Sequence, residues 1–536
     1  MESPALPRAD PSSGHHQWLE PVWLVDNTPG LPPSPVNRIP LGKPVIVVIA
    51  IALITGITVL MQPRPQHADL EFWVFADSHA KTFRPILPSF EQHEGKSVRL
   101  SLIANRALSL RLFSMFLSKS MSREVPDAAE IEIGSVGRFF RPPPDQVGFL
   151  PLNDLLRTTG AREIADVSAP GLRGWNARLR GTTRIWTHDG TAWVENPART
   201  QPDMWMDRIV ASRFAPWTKA GVIFGVPHDV HPLTIAYRED LFREAGVDLA
   251  ACATWIEFHA ACLRFQQYWR GRGFPHRHAI ELQEASPETL VLMLLQRGIN
   301  AVDDSDRIHL ADPKVAETVA FYAGLVAGPR KIGSEAAGGM GVFAKDVEAG
   351  NLCALLMPDW RVRYVREFAP GIAGKLRMMP LPRFDPGDPP TSTWGGTMVG
   401  IPRAARDPEA SWRLIEHLYF SEEGLNARLT QTNILPPLME QWTHPAFTEA
   451  DPYFGGQKVF ALYAELATQV PRRLVTPMTS ISAQKLSVVL NRAVDQMRRR
   501  GGEGLEAACR EWLVAEARDL ENRMRHRRFD DGEEAP

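Results

Sequence analysis

A chain of 536 residues with 44% hydrophobic and 23% charged side chains has the composition of a folded protein with a proper core and more than one lobe. A formal charge of -2 excludes the strongly basic balance that draws a protein to nucleic acid, so no nucleic-acid partner is expected. The four cysteines, Cys252, Cys262, Cys353 and Cys509, show neither a Cys-x-x-Cys pair nor zinc spacing, and free buried thiols are expected of them.

In chain order, residues 1–43 are rich in proline (Pro29, Pro32, Pro33, Pro35, Pro40) and read as a disordered cytoplasmic leader. Pro44–Met61, PVIVVIAIALITGITVLM, carries no charge. At 1.5 Å per residue it reaches about 27 Å, close to the ~30 Å hydrocarbon core, and predicts one transmembrane signal anchor. Arg38 and Lys43 before it and Arg64 after it orient it only weakly. No cysteine follows where a lipoprotein anchor would need one. Residues 62–68 read as a tether.

The folded body opens at Leu70 with LEFWVF, a strand whose Trp73 and Phe75 share one face while Val74 takes the other. Asp77 and Ser78 fall in the loop expected after it. Helical spacing over Phe83–His93, a strand at Ser97–Ile103, a helix through Leu108–Phe116 and a strand in AAEIEIG ending at Gly134 follow. This alternation predicts an α/β lobe with a mainly parallel sheet. Between Ala169 and Ala220 the pattern fades into what reads as an insertion of unknown role, with Trp175, Trp186, Trp193 and Trp205 unexplained. Alternation resumes at Gly221 with a Gly-Val-Pro corner and a strand at Leu233–Tyr237. A capped helix containing Asp240-Leu-Phe-x-x-Ala-Gly246 comes next, then an amphipathic helix started by Thr254-Trp255. After Gly502 a charged helix predicts Leu505, Cys509, Trp512, Leu513 and Leu520 as its buried stripe.

Chemistry-bearing motifs fail their tests. Gly95-Lys96-Ser97 lacks the upstream glycine of a phosphate loop, and neither Gly-x-Ser-x-Gly nor His-Glu-x-x-His occurs. His228-Asp-Val-His231 has the look of a metal pair but lacks a third ligand, and His276 and His278 read as solvated. Asp303-Asp304-x-Asp306 lacks the glycine and terminal glutamate of a calcium loop. No catalytic residue, metal or cofactor is expected, and the chain is not read as an enzyme.

Several stretches, in register over most of residues 69–525, resemble the ABC-transporter extracellular solute-binding proteins of family 1, the carbohydrate-binding group. These are Leu70–Phe75, Pro126-Asp127-Ala-Ala-Glu130-Ile-Glu132, and Gly225-Val-Pro227 with Tyr237 and Asp240-Leu-Phe. Ala245-Gly246 with Thr254-Trp255-x-x-Phe258, Phe343–Gly350 through Met357-Pro358-Asp359-Trp360, Trp394-Gly395-Gly396 through Ile401-Pro402, Asp407–Gly424 and Asn433-Ile-Leu-Pro-Pro complete the set. One departure is Arg238, where the family usually has Asn or Asp.

The resemblance implies a type II-like two-lobed α/β fold with hinge crossings, here preceded by one transmembrane helix. Lobe 1 would be 69–228 plus about 385–432, lobe 2 229–384 plus about 433–525, and 526–536 a tail. It implies a small-molecule ligand, most readily a sugar, held between the lobes, with ABC permease subunits as partners. The body would lie on the periplasmic side of the inner membrane, attached through residues 44–61. Ligand contacts would fall to Trp73, Phe75, Asp77, Ser78, His228, Asp229, Asp359, Trp360, Trp394, Gly395 and Gly396. A membrane-anchored sensor of the same fold, signalling to a partner protein, is the alternative.

Overall fold

The computed structural model describes residues 42–61, 68–118, 125–157, 184–186, 193–195, 205–284, 286–336 and 340–530. Most of the leader, residues 62–67 of the tether, Trp175 and the last six residues lie outside the described residues. The chain divides into two units, 1–67 and 68–536. In the first, Lys43–Met61 is a helix whose described side chains, 45–56, are all exposed. That described stretch spans about 18 Å at 1.5 Å per residue. Among the described residues no helix is long and apolar enough to cross a membrane.

The second unit is two α/β lobes. The strands of the first are β1 (Leu70–Val74), β2 (Val98–Leu102), β3 (Ala128–Glu132) and β4 (Val226–Pro227). The second lobe takes β5 (Leu233–Arg238), β6 (Ala354–Pro358) and β7 (Leu376–Pro380), and β8 (Thr397–Gly400) returns to the first. Lobe 1 has the order β2-β1-β3-β8-β4, with β1 parallel to β2 and β3, and β8 antiparallel to both β3 and β4. The expected alternation along β1 holds. Phe72 and Val74 join one apolar cluster with Phe83, Phe90 and Trp412, while Trp73 joins another with Leu108, Ile131 and Trp217. A central strand covered on both faces needs that doubly apolar pattern.

The helix expected over Phe83–His93 starts earlier, at Asp77–Phe83, tightens into a 3-10 turn at Arg84–Ile86 and resumes at Leu87–Glu94. Pro85 has no N–H to continue the α ladder, which accounts for the break. Asp77 and Ser78 therefore stand in the first turn of a helix, not in a loop.

Lobe 2 centres on β5, buried at every residue and flanked antiparallel by β6 and β7. The helix Trp255–Gly271 starts at a full capping box, with Thr254 Oγ1 accepting from Glu257 N and the Glu257 carboxylate accepting from Thr254 N. Arg238, the family departure, forks onto both Asp240 oxygens (2.8 and 2.7 Å) and donates to the carbonyls of Val347 and Glu348. It thus satisfies carbonyls at the end of the helix Met340–Ala349, a role a short Asn or Asp has no reach for. On the C-terminal helix Leu505–Asp530, Leu505, Cys509, Leu513 and Leu520 are buried as expected, with Trp512 at the margin. All four cysteines are free, and three are buried.

The faded stretch before Gly221 is partly resolved. Arg184–Trp186 pairs antiparallel with Trp193–Glu195, and Trp205, Met206, Ile209, Phe214 and Trp217 belong to the lobe 1 core. Trp205 Nε1 donates to Glu416 at 2.8 Å, and Trp217 is fully buried.

Candidate functional site

The chain passes from lobe 1 to lobe 2 between β4 and β5, returns between β7 and β8, and passes over again after the helix Glu422–Gln431. Charged side chains tie the three crossings together. On the first, Asp229 accepts from Arg213 Nη2 at 2.8 Å and from the backbone N–H of Thr397, on the second, at 3.0 Å. His231 places Nε2 3.0 Å from Asp229 and Nδ1 2.5 Å from Asp359, the first residue of the helix Asp359–Phe368. The other Asp359 oxygen accepts from Leu435 N, on the third crossing, at 2.7 Å. Arg213, Asp229, His231 and Asp359 are all at most 5% exposed. Two carboxylates, one guanidinium and one imidazolium balance only with His231 protonated, and such burial is tolerated only when charges are paired and hydrogen-bonded.

Burial alone would lower the pKa of His231, but the charges of Asp229 and Asp359 outweigh it and push it up to about 9. Burial likewise opposes ionisation of Asp229, yet the charge of His231 and its hydrogen bond, His228 Nδ1 3.6 Å away, and Arg213 hold it well below the usual carboxylate range. The backbone supports the arrangement at some cost, since His231 has φ 54°. Gly395 and Gly396, at φ 98° and 155°, leave the room it occupies. A Cβ on Gly396 would lie 2.7 Å from Arg213 Nη2, and one on Gly395 3.2 Å from His231 Cδ2. The close approach that the Gly-Gly pair permits is therefore filled by the hinge itself.

Next to it, under lobe 1, His79 Nδ1 lies 2.7 Å from Glu130, whose other oxygen accepts from Tyr419 Oη at 2.7 Å. The His228 ring lies tilted against His79, with centroids 4.1 Å apart. Its pKa is pushed well below the usual value by burial, then by His79 and Arg428. His79, Glu130 and His228 bring ligand-type atoms within 4.8 Å of one another. Both Glu130 oxygens are already engaged, however, and the buried Arg428 donates to the His228 carbonyl at 2.8 Å. A cation placed there would face that guanidinium at short range, which weighs against a metal.

Above the hinge, Trp360 and Trp394 are half-buried. Trp360 Nε1 donates to the Trp394 carbonyl at 3.0 Å, and their rings meet edge to face at 5.6 Å. Arg361, paired with Glu281 at 2.8 Å, holds its guanidinium 5.4 Å from the Trp394 ring. Here the structure offers aromatic surface beside glycine backbone at the junction of two lobes.

Of the residues singled out from sequence, His228, Asp229, Asp359, Trp360, Trp394, Gly395 and Gly396 come together at this hinge. His228, Asp229 and Asp359 are at most 1% exposed and serve the hinge's own network. Trp73 is packed in the lobe 1 core, with its Nε1 donating to Glu71 at 3.2 Å. Phe75 is half-buried, 5.6 Å from His79, and Ser78 is half-buried in the helix start. Asp77 is exposed and pairs with Lys81 one turn on. Sequence reasoning missed Arg213, Arg428 and the true role of His231. Arg428 and His231 reach partners 200 and 128 positions away, and the Asn433 turn, at φ 60°, marks the third crossing. Asp303 collects its own loop, accepting from Ser305 N, Arg307 and His309.

Two α/β lobes, three crossings pinned by a buried charge network, and aromatic side chains at the junction define a two-lobed ligand-binding protein. The family model described as bacterial extracellular solute-binding protein matches residues 165–424. The chain is 21% identical over 447 residues to the arabinooligosaccharide-binding protein of Halalkalibacterium halodurans, covering 82% of this chain and 88% of that protein. It is 22% identical over 277 residues to the lactose-binding protein of Rhizobium radiobacter, covering 49% and 63%. Among solved structures, the sugar-binding protein MalE from Xanthomonas citri superposes with a TM-score of 0.62 at 18% identity, over 87% of this chain and 100% of that one. A cyclo/maltodextrin-binding protein complexed with maltotetraose gives 0.57 at 14%, over 85% and 98%. By family model, curated relatives and fold, the chain is similar to the family 1 bacterial extracellular solute-binding proteins.

Proposed function

We propose that this protein is the solute-binding component of an ABC importer and captures a carbohydrate between its lobes, without transforming it. The observation that carries this reading is the half-buried Trp360–Trp394 pair at the junction of the lobes, in a fold whose relatives are named for saccharides. Aromatic faces stack on sugar rings, and neighbouring polar groups take the hydroxyls. Lobe 1 would be 69–228 with about 385–432, and lobe 2 229–384 with about 433–525, turning about the charged hinge as a clamp. The liganded protein would then be delivered to permease subunits.

The uncharged run 44–61 supports attachment to the inner membrane, with the body on the periplasmic side. Together with the leader it also supports the second reading, a tethered sensor. Deleting the gene separates the two: loss of saccharide uptake supports import, and intact uptake supports sensing.

Calorimetric titration with arabinotriose, lactose, galactobiose, maltotetraose, amino acids and sugar phosphates tests the ligand class. At least one neutral saccharide is expected to bind. Trp360→Ala should weaken that binding by about 1–3 kcal/mol. Binding of non-carbohydrates alone would refute the reading.

A further inference from the structure

We propose that Arg473 is a ligand-contacting residue of the interlobe cleft and favours neutral polyhydroxylated ligands over anionic ones. The inference rests on the carbohydrate-binding reading above and deepens it. Arg473 lies between the lobe 2 helices Val459–Ala467 and Thr479–Arg500. That segment reaches lobe 1. Val475 is buried in the lobe 1 cluster with Trp73, Ile133, Val136 and Trp217, and a Cβ on Gly137 would run into the Thr476 carbonyl. Arg473 is thus held at the seam where the lobes touch.

Two carboxylates gather around it, and Arg213, already paired with Asp229, is also within electrostatic range. Glu132 ends β3 and opens the helix Ile133–Phe139 that carries Gly137, with one carboxylate oxygen accepting from Gly134 N at 2.9 Å. Glu288 stands in the first turn of the lobe 2 helix Pro287–Gln296. Arg473 lies within electrostatic range of both, and they of each other, yet no ion pair joins it to either. Among the described residues its buried Nη1 finds no hydrogen-bond partner. A buried guanidinium nitrogen left without an acceptor calls for one from outside the chain. The seam is continuous with the aromatic pair, because Ile133 N donates to the Gly396 carbonyl at 2.9 Å, two residues after Trp394.

A sugar hydroxyl is both acceptor and donor. One hydroxyl can accept from Arg473 while another donates to Glu132, so a polyol satisfies both lobes at once. A carboxylate or phosphate could use only the guanidinium and would face Glu132 and Glu288, a like-charge juxtaposition.

The test takes the tightest binder among arabinotriose, lactose, galactobiose and maltotetraose as probe. Affinities are measured calorimetrically for the unsubstituted protein, Arg473→Met and Arg473→Lys, and ligand-free melting temperatures are recorded. Met should weaken binding about tenfold or more, Lys should restore part of it, and melting should stay within about 2 °C. Digalacturonate should bind the unsubstituted protein more weakly than galactobiose. Unchanged affinity in Arg473→Met, with or without a fall in melting temperature, would overturn the inference, as would a preference for digalacturonate. If the unsubstituted protein binds no saccharide, the carbohydrate reading itself fails, and that is seen before any variant is made.

Discussion

His231 is the most exacting point of the hinge, and replacing it by Asn isolates its charge. Asn tolerates the left-handed backbone that His231 adopts at φ 54°, so little conformational strain is added. It is too short to reach both carboxylates and cannot carry their compensating charge. The His231 pKa rises from 6.5 to about 9 on folding, which corresponds to about 3 kcal/mol of stability. Because the folded value is raised, that stability is full below pH 6.5 and is lost as pH climbs through 9. Breaking one partner of a buried pair costs a similar 3–5 kcal/mol. Asp229 keeps Arg213 and Thr397 N, and Asp359 keeps Leu435 N, so the variant should fold. Urea denaturation at pH 6 should find His231→Asn less stable by about 3 kcal/mol, with most of that gap closed at pH 9.5. An equal loss at both values would refute a charged His231 and leave only packing.

Other consequences follow from the same geometry. Gly396→Ala would push a methyl group to 2.7 Å from Arg213 Nη2 at a backbone angle that L residues resist, and should destabilise by about 2–3 kcal/mol in urea titrations. Neutral stability there would mean that Arg213 has room to move. Glu416 sits at a pKa of about 7, raised by burial against the hydrogen bond from Trp205 and the neighbouring Trp412 indole, and its second oxygen finds no hydrogen-bond partner among the described residues. The stability it contributes is full below pH 4.5 and lost as pH rises through 7. Glu416→Gln should therefore stabilise by about 1–3 kcal/mol at pH 8 and hardly at all near pH 5, and a gain independent of pH would argue against it.

Local rules carried much of the fold. The doubly apolar strand at Leu70–Val74, the capping box at Thr254 and the stripe Leu505-Cys509-Leu513-Leu520 each follow from spacing alone, because what they specify lies within a few residues. Pro85 shows where that reach ends, since the helix it interrupts begins upstream and takes Asp77 and Ser78 with it. The site was half legible. Trp360, Trp394 and the glycines were found through their neighbours in sequence. The work of Asp229 and Asp359 was not, because it depends on His231, whose second carboxylate partner lies 128 positions along the chain. A histidine two residues from an aspartate gives no sign in sequence of a second carboxylate on a distant helix.

The most direct test of a sugar clamp is a crystal structure with the tightest-binding saccharide. A ring stacked on Trp360 or Trp394, with hydroxyls bonded to residues of both lobes, is the result expected. A saccharide seated on one lobe alone, or away from the Trp360–Trp394 pair, would contradict it.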